Sequence, residues 1–325
     1  MAKRKYINIT LILAFVLLVP FLIYLPMEVA GYRPGNVFMQ LFYAGLLAST
    51  TAIIAVFMIM LLSQKTFIKN QLATLNRFRH LLILMIKRDF VTRYRRNVLG
   101  VLWSVLNPLA TMLVLTMVFS MLFRFDIQNF PVYLLSGQLM FNFFSESTNR
   151  AMGSVIGGAS TIKKIYIPKY VFSVSCVLSS LVNLLFSFVA FILVYLITGE
   201  PLRWTLLLVP IPMLYLLIFS LGVGLILASM AVFFRDLTHL YGIGITLLMF
   251  LTPIMYPVSI LPEQLFHAIH LNPMFLYVDY FRELVLYGSL PGLWANIICL
   301  GFALAALSLG LFVTMTQQNK FILYL

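Results

Sequence analysis

Long apolar stretches separated by short polar and basic intervals make up most of the chain. A helix needs about 20 apolar residues to cross bilayer hydrocarbon. Eight stretches are predicted to do so: 6–25, 37–62, 99–123, 132–156, 170–197, 204–233, 241–260 and 294–316. The first follows Met1-Ala-Lys-Arg-Lys and superficially resembles a signal peptide, but it is too long for a cleaved apolar core and reads as a retained anchor. Residues 63–76 form the one polar linker of any length. It divides a two-span hairpin with its linker (1–76) from six later spans (77–325).

Charge sharpens this picture. With the N-terminus inside, 17 of the 22 basic residues fall on one side of the predicted membrane, Arg33, Arg124, Arg203 and Arg282 fall outside, and Arg150 lies within a span. Lysine and arginine collect on cytoplasmic loops, so eight crossings place both termini in the cytoplasm. The net charge of +13 does not point to nucleic acid, because the basic residues sit at the ends of apolar runs and read as topology signals and contacts to anionic lipid. Composition agrees: 62% of the 325 residues are hydrophobic and 10% charged, with mean hydropathy +1.02, against roughly half and a quarter in soluble domains. Cys176 and Cys299 lie in apolar segments and read as small fillers.

Residues 77–97 mix Leu81, Leu82, Leu84, Met85, Phe90 and Val91 with Arg88, Arg93, Arg95 and Arg96. This fits a helix lying in the inner interface, apolar side down and basic residues toward headgroups; the alternative is a basic flank anchoring the next span. The inner loop 157–169 carries Ile162, Lys163, Lys164, Ile165, Tyr166, Ile167 and Pro168. Residues 162–167 are predicted to form a brief helix, suited to docking a partner, or else an ordinary basic loop. Gly157-Gly158-Ala159-Ser160-Thr161-Ile162-Lys163 has the residue types of a phosphate loop in the wrong spacing, so no ATP site is expected here.

Catalytic chemistry has little support. His267, His270 and Glu263 make a metal site geometrically conceivable, but solvated side chains are the simpler reading and no metal is expected. Glu146 and Arg150 are one turn apart and are predicted to neutralise each other on one helix face. Asp279, Arg282 and Glu283 read as a local ion pair near the outer surface. Ser175, Ser179, Asn183 and Ser187 form a small polar stripe suited to close helix packing, with pore lining second. Tyr133, Phe141, Phe143 and Phe144 belong to an aromatic cluster at outer span ends. Such belts need no function; rings also stack on sugars, which makes these four candidates for a glycan path. The segment 261–290 is too polar to cross and is expected to dip in and return as short re-entrant helices.

Several ordered motifs carry a resemblance. Arg88-Asp89, Arg93-Tyr94-Arg95-Arg96-Asn97-Val-Leu-Gly100, Leu102-Trp103 and Pro108 come first. Ile162-Lys-Lys-Ile-Tyr-Ile-Pro168 follows, then Phe234-Arg235-Asp236-Leu-Thr-His239, Thr252-Pro253-Ile-Met-Tyr256-Pro257 and Asn272-Pro273. Together they resemble the membrane subunit of a type-2 ABC exporter, in the branch exporting polysaccharide, O-antigen or teichoic acid. The resemblance implies an all-α polytopic protein of the bacterial cytoplasmic (inner) membrane: a six-helix core with an amphipathic interfacial helix, here preceded by an extra two-helix hairpin. It implies pairing with a second copy, two separate ATPase subunits holding ATP and Mg, and a lipid-linked glycan as cargo. Residues 162–168 would then couple to the ATPase. Arg88, Asp89, Arg93, Tyr94, Arg95 and Arg96 would meet headgroups or a carrier's diphosphate. Rival readings are a membrane-embedded enzyme acting on lipid-linked sugars, through the outer aromatics and Asp279/Glu283, a secondary transporter coupled through Glu146, and an exporter of another amphipathic substrate.

Overall fold

Two compact units divide the chain, Met1–Ala73 and Thr74–Leu325. The computed structural model describes residue 74 and residues 76–325, except 96–98, 123–126, 128, 165–166, 262–268, 270–271, 319–320 and 325; the side chains of 120–122 and 322–323 are likewise outside. The expected hairpin spans, 6–25 and 37–62, lie outside the described residues, as do His267, His270 and Glu263.

Every regular element among the described residues is helical. In chain order these are α1 (Arg79–Tyr94), α2 (Leu102–Leu122), α3 (Phe130–Gly157), the single turn α4 (Ala159–Ile162) and α5 (Tyr170–Ile197). Then come α6 (Pro210–Phe233), α7 (Leu237–Leu251), α8 (Pro273–Arg282), α9 (Leu293–Gln317) and the short α10 (Phe321–Tyr324). Among the described residues, four stretches are long and apolar enough to cross a membrane: Leu102–Phe119, Tyr170–Ile197, Trp204–Phe233 and Leu293–Gln317. α3 has 28 residues but carries Glu146 and Arg150.

The stretch expected as a span over 241–260 is corrected. Its helix, α7, starts at Leu237 and stops at Leu251. Pro253 disfavours helical geometry at the residue before it, and Thr252 is extended at φ −101°, ψ 123°. At 1.5 Å per residue, the 15 residues of α7 fall short of hydrocarbon about 30 Å thick. The expected short helices after 261 are present as α8, which continues into a π-helical turn, Glu283–Tyr287. The Asn272 side chain caps α8 by accepting from Met274 N at 2.9 Å. Most of α8 is buried, including Tyr277, Val278 and Phe281.

The core forms around α3 and α6. α3 packs on α5 and α6, and α6 packs on α9. Residues 132–141 of α3 are buried without interruption. Close approach of α6 and α9 depends on glycine. A Cβ at Gly222 would collide with the backbone of Ala306 and Leu307, and one at Gly310 would collide with the Gly222 carbonyl oxygen. Small residues let apolar helices approach until their backbones touch, gaining dispersion contacts where lipid removes the usual hydrophobic drive. Ser229 and Thr314 then share a hydrogen bond of 2.9 Å across the same seam.

α2 and α7 are different. None of α7 is buried, and the apolar window of α2 is 11% buried. Leu113, Val114 and Met117 of α2 and Leu240, Ile243 and Leu247 of α7 are exposed in this single chain.

The seam predicts a sharp contrast between two glycines. Gly222→Val forces α6 from α9 against backbone, which cannot swing aside, and is expected to lose about 1–3 kcal/mol. Gly153→Ala, at an open helical position with nothing within 4 Å, should be neutral or gain up to about 1 kcal/mol. Thermal melting of the purified protein in detergent checks both.

Candidate functional site

α1 meets the rest of the unit along one stripe whose chemistry changes partway. Leu82 and Met85 come first and are buried with Val155, Ile162, Ile167, Tyr170 and Phe172. One turn on, the same stripe carries Asp89, and a turn later Arg93. Ile83, Leu84 and Val91 are exposed instead. The expected orientation, apolar side down and charges toward headgroups, is therefore corrected for Asp89 and Arg93. They turn inward because α3 offers them opposite charges.

Arg150 Nη2 donates to Asp89 Oδ2 at 2.9 Å, and Arg93 Nη1 to Glu146 Oε1 at 2.5 Å. Arg150 Nη1 lies 3.7 Å from Glu146 Oε1. Arg88 donates to Asp89 from the exposed side at 2.9 Å. The result is a chain of alternating charge, Arg88–Asp89–Arg150–Glu146–Arg93. The expected Glu146–Arg150 pair is its longest link, while the short links join residues 53 and 61 positions apart.

α5 supplies the neutral half of the site. Asn183 Nδ2 donates to Glu146 Oε2 at 2.8 Å, and Ser180 Oγ to Glu146 Oε1 at 3.4 Å. Ser179 Oγ lies 3.4 Å from Asp89 Oδ2. Tyr94 donates to Asn183 Oδ1 at 2.9 Å and also hydrogen-bonds Ser104 of α2. Ser187 donates to the Ser104 carbonyl at 3.2 Å. Ser179, Asn183 and Ser187 of the stripe thus join helices, as its spacing predicts, while Ser175 donates back to the Phe172 carbonyl of its own helix. Glu146 engages two arginines, Asn183 and Ser180, an arrangement that holds helices together. Beside it a cleft of about 30 Å³ is lined by Gln138, Asn142, Phe143, Glu146, Ser180 and Asn183, among others. The Gln138 Oε1 atom is buried there with no hydrogen-bond partner among the described residues.

The coupling-loop expectation shifts in register. The brief helix is α4, Ala159–Ile162, not 162–167, because Gly158 ends α3 and the chain restarts at once. Ile162 and Ile167 are buried in the cluster that holds Leu82 and Met85, while Lys163 and Lys164 between them are exposed. Pro168 is half-buried. Ile165, Tyr166 and Arg96 lie outside the described residues, and Arg95 is exposed at the end of α1.

The outer cluster reaches further than its neighbours in sequence. Arg282 is 2% exposed, and its guanidinium donors find partners beyond Asp279 and Glu283. They reach the carbonyls of Pro253 (2.7 Å), Tyr133 (3.1 Å) and Ile254 (3.2 Å), and Ser136 Oγ (3.3 Å). Its Cζ sits 3.5 Å from the centre of the Tyr133 ring, a cation–π contact. The break at Pro253 leaves carbonyls outside any helix, and arginine is the side chain with enough donors to collect several. Gly137 makes room, since a Cβ there would come 2.8 Å from Arg282 Nη2. Sequence reading missed this clamp; an arginine inside an apolar run, after a proline-broken helix, was the available signal.

The glycan-path candidates do not line an open surface in the single chain. Tyr133, Phe141, Phe143 and Phe144 are all buried. The Tyr133 hydroxyl donates to the Tyr256 carbonyl at 2.9 Å, and Phe144 stacks on Phe219 at 5.5 Å. Only Phe143 of the four borders the small cleft. Buried rings at these positions serve packing, which is why apolar aromatics recur there.

Comparison with known proteins bears on the whole of this region. A family model described as "ABC-2 type transporter" matches residues 80–286. An "O-antigen export system permease protein RfbA" from Klebsiella pneumoniae is 31% identical over 236 residues, covering 71% of this chain and 90% of that protein. One of the same description from Myxococcus xanthus is 33% identical over 202 residues, or 62% of this chain and 78% of that protein. A "Polysialic acid transport protein KpsM" from Escherichia coli is 28% identical over 239 residues, covering 71% and 91%.

Arg282→Met should leave buried carbonyls without donors, at about 1–3 kcal/mol for each group left unpaired. Arg282→Lys keeps a charge but reaches fewer acceptors, so it should fall between Met and the native residue. Melting temperatures in detergent, ordered Arg above Lys above Met, check this.

Proposed function

Because the chain belongs to the ABC-2 type transporter family, we infer that it is the membrane permease of an ATP-driven exporter of a lipid-linked polysaccharide or related envelope glycan. It works in the bacterial cytoplasmic membrane with both termini in the cytoplasm. ATP and Mg²⁺ belong to two separate ATPase subunits, and this chain carries neither nor acts on nucleic acid. Relatives described as O-antigen and polysialic acid export proteins support glycan cargo; teichoic acid is a further member of the same class.

The six-helix core consists of α2, α3, α5, α6, α7 and α9, with α1 as interfacial helix and the hairpin 1–62 ahead of it. A second copy covers the exposed apolar faces of α2 and α7. That reading suits α7 in particular, since a helix too short to span alone gains from a protein neighbour. Arg88, Arg95 and Arg96 remain to meet anionic headgroups or a carrier's diphosphate through charge-assisted contacts.

The observation that carries the coupling assignment is the loop 159–168. Ile162 and Ile167 anchor it under α1, and Lys163 and Lys164 project from the turn between them. An anchored loop with an exposed basic tip can transmit a push, whereas a free loop would absorb it. Lys163→Glu with Lys164→Glu should weaken association with the ATPase subunit at least about tenfold, roughly 1.4 kcal/mol, while the permease still inserts. Co-purification from membranes measures this. Undiminished ATPase recovery and stimulation would remove the loop from the coupling role.

A further inference from the structure

α1 is held in two chemically distinct ways. Its first half rests Leu82 and Met85 against the cluster containing Ile162 and Ile167. Its second half sets Asp89 and Arg93 against Arg150 and Glu146. The apolar half is non-directional and tolerates sliding. The charged half does not. Its two rungs run in opposite chain order, 89 with 150 and 93 with 146, and both pairs are one helical turn apart. A one-turn slide of α1 brings Asp89 opposite Glu146, or Arg93 opposite Arg150. Either shift replaces attraction by repulsion. The carboxylates carrying the rungs are partly shielded, with side-chain exposures of 13% for Asp89 and 23% for Glu146, while Arg150 (30%) and Arg93 (42%) reach them from more open positions.

Fixing register is the best-attested use of charged and polar groups held away from water. Tyr94, Ser179 and Asn183 tie the same ladder to α5. Glu146 also borders the small cleft where Gln138 lies, so a movement of the ladder reaches that cleft directly.

We propose that Asp89, Arg93, Glu146 and Arg150 are positioning residues that lock the register of α1 on α3. They make α1 a strut carrying displacement of α4 and the exposed Lys163 and Lys164 to the middle of α3 and to α5. This rests on the export reading above. Without the lock, α1 would slip along its apolar contacts and the loop's movement would be lost before it reached the spans.

The test uses the full chain with its ATPase subunits in inverted membrane vesicles of the host, whose outward-facing cytoplasmic leaflet carries lipid-linked glycan with a radioactive sugar. Glycan translocated per ATP hydrolysed is the readout. Arg93→Glu and Glu146→Arg each place like charges on one rung. Each is expected to lower the export-to-ATP ratio about tenfold, within the range by which coupling residues act, while the ATPase stays bound and hydrolysing. The double variant Arg93→Glu/Glu146→Arg restores attraction but leaves both α1 positions negative and both α3 positions positive, so no register is selected and the ratio should stay low. Melting temperatures read folding separately; if a reversal fails to fold, Glu146→Gln, which removes the attraction without creating a clash, is read in the same way. Wild-type ratios in the single variants overturn the strut. So does a double variant that regains the wild-type ratio, or export and ATP hydrolysis falling in step. Absence of ATP-driven export by the wild-type complex overturns the export reading itself.

Discussion

Hydrocarbon offers no hydrogen bonds, so each polar group drawn into this helical unit must find its partner within the protein or at its edge. That constraint organises both ends of α3. Near its start, the Tyr133 carbonyl and the Ser136 hydroxyl receive Arg282. Further along, Glu146 and Arg150 receive Arg93 and Asp89. Beside Glu146 and Arg150 hydroxyls turn back on their own helix, as Thr148 does to the Phe144 carbonyl at 2.6 Å. One helix of 28 residues therefore carries two polar anchors, one for the α7–α8 region and one for α1.

The anchors differ in kind. Arg282 meets carbonyl dipoles and an aromatic face, so its positive charge is dispersed over many weak partners and pins three backbone segments together. The inner ladder alternates full charges, so its energy depends steeply on which residue stands opposite which. The first arrangement suits a rigid junction. The second suits a contact that must remember its register while helices move.

The inversion of α1 follows from the same physics. A helix lying at a membrane surface ordinarily turns its charges to water and its apolar side to lipid. Here part of the charged face turns inward because compensating charges wait on α3, and Ile83, Leu84 and Val91 are left exposed. Lipid or another protein surface can cover those three residues at little cost, whereas an unpaired Asp89 or Glu146 could not be covered so easily.

Much of the fold was legible in residue order. The long apolar runs located α2, α3, α5, α6 and α9 to within a few residues, because hydrophobic length is a local property. Glycine marked where α3 ends, whereas the stop before Pro253 that ends α7 was read through, and the four-residue stripe of Ser175, Ser179, Asn183 and Ser187 announced a helix contact without saying with what. Partner choice was not legible. Glu146 and Arg150 satisfy each other on paper, and only the approach of α1 reveals stronger partners 53 and 61 residues away. Arg282 looked like one of three neighbouring charges until the folded chain brought carbonyls from residues 133, 253 and 254 around it. Likewise Tyr133, Phe141, Phe143 and Phe144 read as a cluster at outer span ends, and only the folded chain shows them buried. Sequence by itself determined which segments are helical and apolar, since those properties sum over neighbours along the chain. Tertiary structure decided which charge meets which and which face turns inward, since those depend on distances that exist only after folding.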